Sequence, residues 1–141
     1  MSFEALRKNV ITASVSIAAS LAPMELHAQN VPPGDAARGK AFFQVACSVC
    51  HSPELGPDNL VIMKQGPSLV GVVGRPAGSL PHFNYTKALR QSGFTWSPAS
   101  LYKFLENPMV VVPGTTMPIP VTDPGHRADV IAYLETLKVP E

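Results

Sequence analysis

The chain has 141 residues and a formal charge of +1, with 11 basic against 10 acidic side chains and no basic run or stripe. That balance excludes a nucleic-acid partner. The length allows one domain, and 15 prolines with 10 glycines imply much irregular backbone, so a core this small needs a staple.

The first segment reads as an export signal rather than as part of that domain. Arg7 and Lys8 precede an apolar run over 10–21, Pro23 breaks it, and Leu26-His27-Ala28 is an imperfect small-residue cleavage site. The run is shorter than the ~20 residues a bilayer span needs. The expectation is therefore a cleaved signal over 1–28 and one domain over 29–141, with an uncleaved membrane tether as the alternative. Removing Glu4, Arg7, Lys8 and Glu25 together leaves the charge balance as it was. Nothing later in the chain is long and apolar enough to cross a membrane.

After a Pro-rich lead-in, Asp35 reads as the N-cap of a helix running on to Cys50. Gly39 interrupts it at a cost of roughly 1 kcal/mol against Ala, which predicts close approach of a second helix. The helix ends in Cys47-Ser48-Val49-Cys50-His51, which holds both cysteines of the chain. C-x-x-C alone fits a redox dithiol or half a zinc site. The adjoining His and the lack of further cysteines point instead to covalent attachment of a c-type haem. Residues three apart share a helix face, so Cys47 and Cys50 reach two vinyl groups on one porphyrin edge and His51 can face the iron. The scattered His27, His82 and His126 do not complete a zinc site, and no βαβ context supports a thioredoxin-type motif. A macrocycle bonded this way would be the staple, and thioether formation excludes a disulfide between the same sulfurs.

Residues 52–65 read as loop. Residues 66–78 carry Gly66, Pro67, Gly71, Gly74, Pro76 and Gly78, too punctuated for a long element but suited to lying flat against a planar group. Asn84-Tyr85-Thr86 opens a short helical segment that Gly93 ends as a C′ residue. Ser97-Pro98 caps a helix through Leu101, Phe104 and Leu105 that stops before Pro108. Residues 108–120 read again as loop. Asp123-Pro124 starts a last helix, with Val130, Tyr133, Leu134 and Leu137 at i, i+3, i+4 and i+7. No strand pair or repeat emerges, so the expected class is all-α, helical with long loops.

Taken in order, the landmarks resemble a class I c-type cytochrome, of the kind that includes mitochondrial cytochrome c and its bacterial relatives. They are Gly39 with Phe43, C-x-x-C-H, Gly66-Pro67-x-Leu69, Gly74-Arg75, Phe83-x-Tyr85-Thr86, Trp96, Leu105-Glu106-Asn107-Pro108, Pro113-Gly114-Thr115-x-Met117 and Ile131-Ala132-Tyr133-Leu134. The resemblance implies a fold in which the first and last helices cross and loops wrap one covalent haem c. It implies that Cys47 and Cys50 carry the haem, that His51 and Met117 are its iron ligands, and that the Pro67 carbonyl accepts a hydrogen bond from His51. Arg75, Tyr85 and Trp96 would hold the propionates, with Thr86 and Thr115 as weaker candidates. Read without the family, Met117 is a core methionine with Met63 and Met109 as rivals, Tyr85 and Trp96 are core aromatics, and Arg75 is a solvated loop charge.

The implied role is a soluble, monomeric, exported single-electron carrier, not an enzyme. It would work in the periplasm between a dehydrogenase or reductase and a terminal oxidase, docking weakly and transiently with protein partners. The alternatives are a dedicated haem subunit of one dehydrogenase, or a haem peroxidase or gas sensor if Met117 is displaceable. Four departures from the mitochondrial pattern stand out. Phe104 replaces a tyrosine and Leu89 an asparagine, which predicts a drier distal side. Thr116 replaces the lysine before the distal Met, which weakens the expectation of an acidic docking partner. The loop between His51 and Pro67 is longer.

Overall fold

The computed structural model describes residues 31–140; the expected signal at 1–28 lies outside them. Five α-helices follow in order: α1 Ala36–Ala46, α2 Lys87–Arg90, α3 Pro98–Glu106, α4 Pro108–Val111 and α5 Pro124–Thr136, with a 3-10 turn at Pro57–Asn59. Among the described residues there is no strand, only the isolated bridges Leu55–Val61 and Pro76–Thr95. No described helix is long and apolar enough to cross a membrane.

The frame is the crossing of α1 on α5. Gly39 is the point of contact, since a Cβ there would lie on the Asp129 carbonyl and 3.0 Å from Tyr133 Cβ. Close approach of a second helix, expected at Gly39, is what the fold uses. Phe43 meets Tyr133 edge-on at 5.4 Å between ring centres. A polar clasp closes the open end. Asp129 Oδ2 accepts from Arg38 Nε at 2.8 Å, and its Oδ1 accepts from Arg38 Nη2 at 2.8 Å and from the Asp35 amide at 2.7 Å. Asp129 is buried and these bonds satisfy it, the condition under which a buried carboxylate is tolerated. The Arg38 bonds come first and the Asp35 amide second in holding its carboxyl below the usual range.

The apolar core joins α1, α3 and α5 through Phe43, Trp96, Leu101, Phe104, Leu105, Val130, Ile131, Tyr133 and Leu134. α5 is buried almost all round over Arg127–Ile131, so its expected stripe is only part of its buried surface, and Leu137 falls at its C-cap. Asp123 caps α5 by accepting from the His126 amide, and Ser97 forms a capping box with Ser100 on α3.

Three expectations shift. α1 ends at Ala46, before the cysteines: the Cys47 and Ser48 amides both donate to Phe43 O at 2.9 Å, which breaks the ladder and starts a tight turn. Within 108–120, expected as loop, Pro108 opens α4 at its first position after Asn107, whose side chain accepts from the Val110 amide. A proline that ends one helix is also a good start for another. α2 is capped at Gln91, so Gly93, at φ +74°, sits beyond the C′ position it was assigned.

Candidate functional site

The attachment turn is built by two amides, those of Cys50 and His51, donating to Cys47 O at 3.1 and 2.9 Å. Both sulfurs and the His51 ring therefore leave one short turn. Burial pushes the Cys47 thiol up to about 11, with the neighbouring Cys50 adding to it. A redox dithiol lowers the pKa of its attacking thiol, so this environment is the opposite of one. Cys47 and Cys50 form no disulfide with each other, and no group of three or more metal-binding side chains occurs among the described residues. The described residues therefore supply no zinc site around these cysteines.

His51 is fixed by the passage of 66–69 beside it. The Gly66 amide donates to Cys50 O at 2.7 Å and the Leu69 amide to Ser52 O at 2.9 Å. These two bonds bracket His51 and place Pro67 O 2.8 Å from its Nδ1. A carbonyl only accepts, so Nδ1 carries the proton and Nε2 keeps its lone pair for a metal. Burial holds His51 below its usual value; the Pro67 bond opposes that and the Lys64 charge reinforces it. Neutral imidazole is the ligating form. Gly66 is needed for this contact, because a Cβ there would reach His51 Nδ1 at 2.7 Å and Nε2 at 2.9 Å. In the sequence Gly66 stood out as punctuation and as part of the Gly66-Pro67-x-Leu69 landmark, with no sign of its contact with His51.

Met117 is half-buried and, like Leu89, packs against the core cluster to which the buried Phe104 belongs. Its rivals Met63 and Met109 are 48% and 49% exposed. The Met117 amide donates to Thr115 Oγ1 at 3.3 Å, and Thr115 is buried. Prolines 113, 118 and 120 stiffen the loop and leave fewer amide donors to satisfy.

The expected propionate residues divide by environment. Tyr85 and Trp96 are both buried. Tyr85 meets Phe83 edge-on at 4.7 Å, and Trp96 stands between Phe94 and Phe104 at 4.7 and 4.9 Å. Burial pushes the Tyr85 phenol up, which keeps it a neutral donor. Arg75 is no solvated loop charge: its Nη1 donates to Val70 O at 3.0 Å and its Nη2 to Ser68 O at 2.8 Å. Its buried Nε has no partner. A half-satisfied cation among buried aromatics is a place for an anionic group, and in this respect the residues fit a haem with its carboxylates. Thr86 Oγ1 caps α2 by accepting from the Leu89 amide at 3.3 Å, which leaves its O–H free to donate.

Comparison with known proteins agrees with this geometry. The family model Cytochrome c matches residues 36–138. A cytochrome c2 of Rhodopila globiformis is 48% identical over 110 residues, covering 77% of this chain and 99% of that protein. A cytochrome c of Euglena viridis is 42% identical over 106 residues, covering 74% and 99%. Among solved structures, cytochrome cH from Methylobacterium extorquens superposes with a TM-score of 0.65 at 41% identity, covering 73% of this chain and 99% of that one. A turn that presents two thiols and an oriented imidazole, on a frame shared with these proteins, leaves one conclusion: the chain belongs to the cytochrome c family, as a class I c-type cytochrome that binds one covalent haem c and carries electrons rather than catalysing a reaction.

Proposed function

We propose that the protein is a soluble, exported carrier of single electrons, working in the periplasm between a dehydrogenase or reductase and a terminal oxidase. The observation that carries this reading is the His51 Nδ1–Pro67 O bond, which leaves Nε2 as the free lone-pair nitrogen next in sequence to Cys50. In this reading Cys47 and Cys50 would carry the thioether bonds, and His51 Nε2 and Met117 Sδ would hold the iron. Arg75, Tyr85 and Trp96, with Thr86 and Thr115, hold the propionates. When bound, the haem supplies a one-electron iron couple, and a neutral, soft thioether opposite imidazole favours its ferrous form.

The chain's own residues do the rest. Pro67 O fixes the imidazole tautomer and orientation. Leu89 and Phe104 keep the Met117 side apolar, where a tyrosine and an asparagine would hold water. Asn107 to Thr122 contains no ionisable side chain, and Met109, Val110 and Ile119 on this stretch are exposed. Such a face suits small, weak contacts that release quickly better than a lysine-steered encounter. Export is supported by Arg7, Lys8 and the apolar run over 10–21.

The test is potentiometric titration of the purified protein, with its mass measured after denaturation. A single one-electron wave and a mass that retains haem support the carrier; loss of haem on denaturation contradicts thioether attachment. Prompt CO binding by ferrous protein would favour a peroxidase or gas sensor with a vacated sixth position. An N-terminus at Gln29 supports export with cleavage, and an intact Met1 supports a membrane tether. Copurification with a single dehydrogenase would make the chain that enzyme's subunit.

A further inference from the structure

One buried charge has no part in that account. Arg127 lies on α5 and is 4% exposed. Its Nη1 donates to Val121 O and Thr122 O, each at 2.8 Å. Its Nη2 donates to Glu106 Oε1 at 3.2 Å, and its guanidinium carbon lies 4.5 Å from the centre of the Tyr102 ring. Its Nε has no partner. Burying a cation against one carboxylate that is itself 61% exposed is a poor way to stabilise a fold, because an apolar side chain of similar volume does as well or better. What a guanidinium does and an apolar chain cannot is to grip two successive carbonyls from a fixed plane.

Those carbonyls belong to the exit of the loop that carries Met117. Among the described residues that loop is thinly tethered. Backbone bonds hold its entry at Thr115 N–Val112 O, 3.0 Å, and its exit at Val121 N–Leu105 O, 2.7 Å. Between them stands the internal Met117 N–Thr115 Oγ1 bond. Arg127 therefore doubles the attachment of the exit, tying it to α5 directly and to α3 through Glu106 and Tyr102.

We propose that Arg127 is the latch of the Met117 loop: a positioning residue, remote from the iron, that keeps the sulfur in the sixth position. This rests on the reading of Met117 as axial ligand. Three variants of the holoprotein test it: Arg127→Met, which keeps volume and loses the grip, Arg127→Lys, which keeps the charge but not the planar fork, and Glu106→Gln, at an exposed site. The readouts are the near-red thioether charge-transfer band of ferric protein, the rate of CO binding to ferrous protein, and the guanidinium unfolding midpoint.

Arg127→Met should weaken the band and speed CO binding about tenfold or more, the scale of one lost charge-assisted hydrogen bond. Arg127→Lys should recover part of that effect, and Glu106→Gln should speed CO binding at least about twofold, since it frees only one arm of the fork. A merely structural arginine would lower the midpoint and leave band and CO rate at wild-type values in the folded variants; that result overturns the latch. If neither Arg127 variant folds, Glu106→Gln decides by the same criterion. A wild-type protein without the band overturns the ligand assignment and the latch with it, whereas a wild-type band unmoved in every variant overturns the latch alone.

Discussion

Gly39→Ala adds one methyl group where α1 crosses α5, and the structure sets the consequence. The new carbon would stand on the Asp129 carbonyl, 2.5 Å from its carbon and 3.0 Å from Tyr133 Cβ. Carbon atoms rest at ~3.5–4.0 Å, so the helices must part by about 1 Å. The obstacle is helix backbone, which cannot rotate aside as a side chain can. Parting loosens the Phe43–Tyr133 contact and stretches the Arg38–Asp129 clasp. Overpacking costs typically ~1–3 kcal/mol, and the upper end applies here. Replacing a helical glycine by alanine returns about 1 kcal/mol. The net loss is about 2 kcal/mol, or a fall in Tm of roughly 8–15 °C for a domain of this size. Guanidinium unfolding of the ferric holoprotein, followed by far-UV circular dichroism, measures it. Ala41→Gly, at an exposed position of the same helix, calibrates the propensity term and should cost about 1 kcal/mol. If Gly39→Ala is as stable as wild type or more so while Ala41→Gly behaves as stated, the close-approach account of Gly39 is wrong.

Gly66→Ala should push against the His51 ring, shifting the reduction potential and the proximal NMR signals of the holoprotein; unchanged values would show that the 66–69 passage does not set the imidazole. Asp129→Asn should flatten the acid limb of the stability curve. The folded carboxyl titrates below its ordinary 3.8, chiefly through the Arg38 bonds, so its contribution is whole above that value and fades as pH falls through the depressed one. The wild-type advantage over Asp129→Asn should therefore be whole at pH 7 and be lost only as pH falls below 3.8 and through the depressed value; an advantage that persists unchanged in strong acid refutes the clasp. Phe104→Tyr puts a hydroxyl into the apolar cluster beside Met117 and should shift the potential in a spectroelectrochemical titration; no shift would contradict the drier distal side.

What the sequence made legible follows from the kind of signal each residue carries. The attachment turn was readable because two thioethers and an imidazole must leave one turn, which fixes residue type and spacing together. Gly39 was readable because a glycine within a helix costs stability unless something crosses there. α4 was not, because Pro108 was taken only as a stop, although its fixed φ also suits a first turn. Nothing local marks Cys47 as the end of α1; that boundary comes from the shift of amide bonding onto Phe43 O. Nothing local in the sequence marks Arg127 or Asp129 as buried, because their partners lie on α1 and α3, distant in sequence, and on the returning 120–122 segment. Arg75 was placed at the haem edge by resemblance alone, and its grip on Ser68 O and Val70 O needs the fold to be seen.

The central claim is that Met117 closes the sixth position opposite His51. The measurement that tests it most directly is the carbon–proton NMR spectrum of ferrous protein labelled at its methionine methyls. One methyl should lie far upfield of the rest, under the ring current of the macrocycle it ligates, and should disappear in Met117→Leu while the others stay. An upfield methyl that survives Met117→Leu and vanishes in Met63→Leu or Met109→Leu, or a spectrum with no displaced methyl at all, would contradict the account.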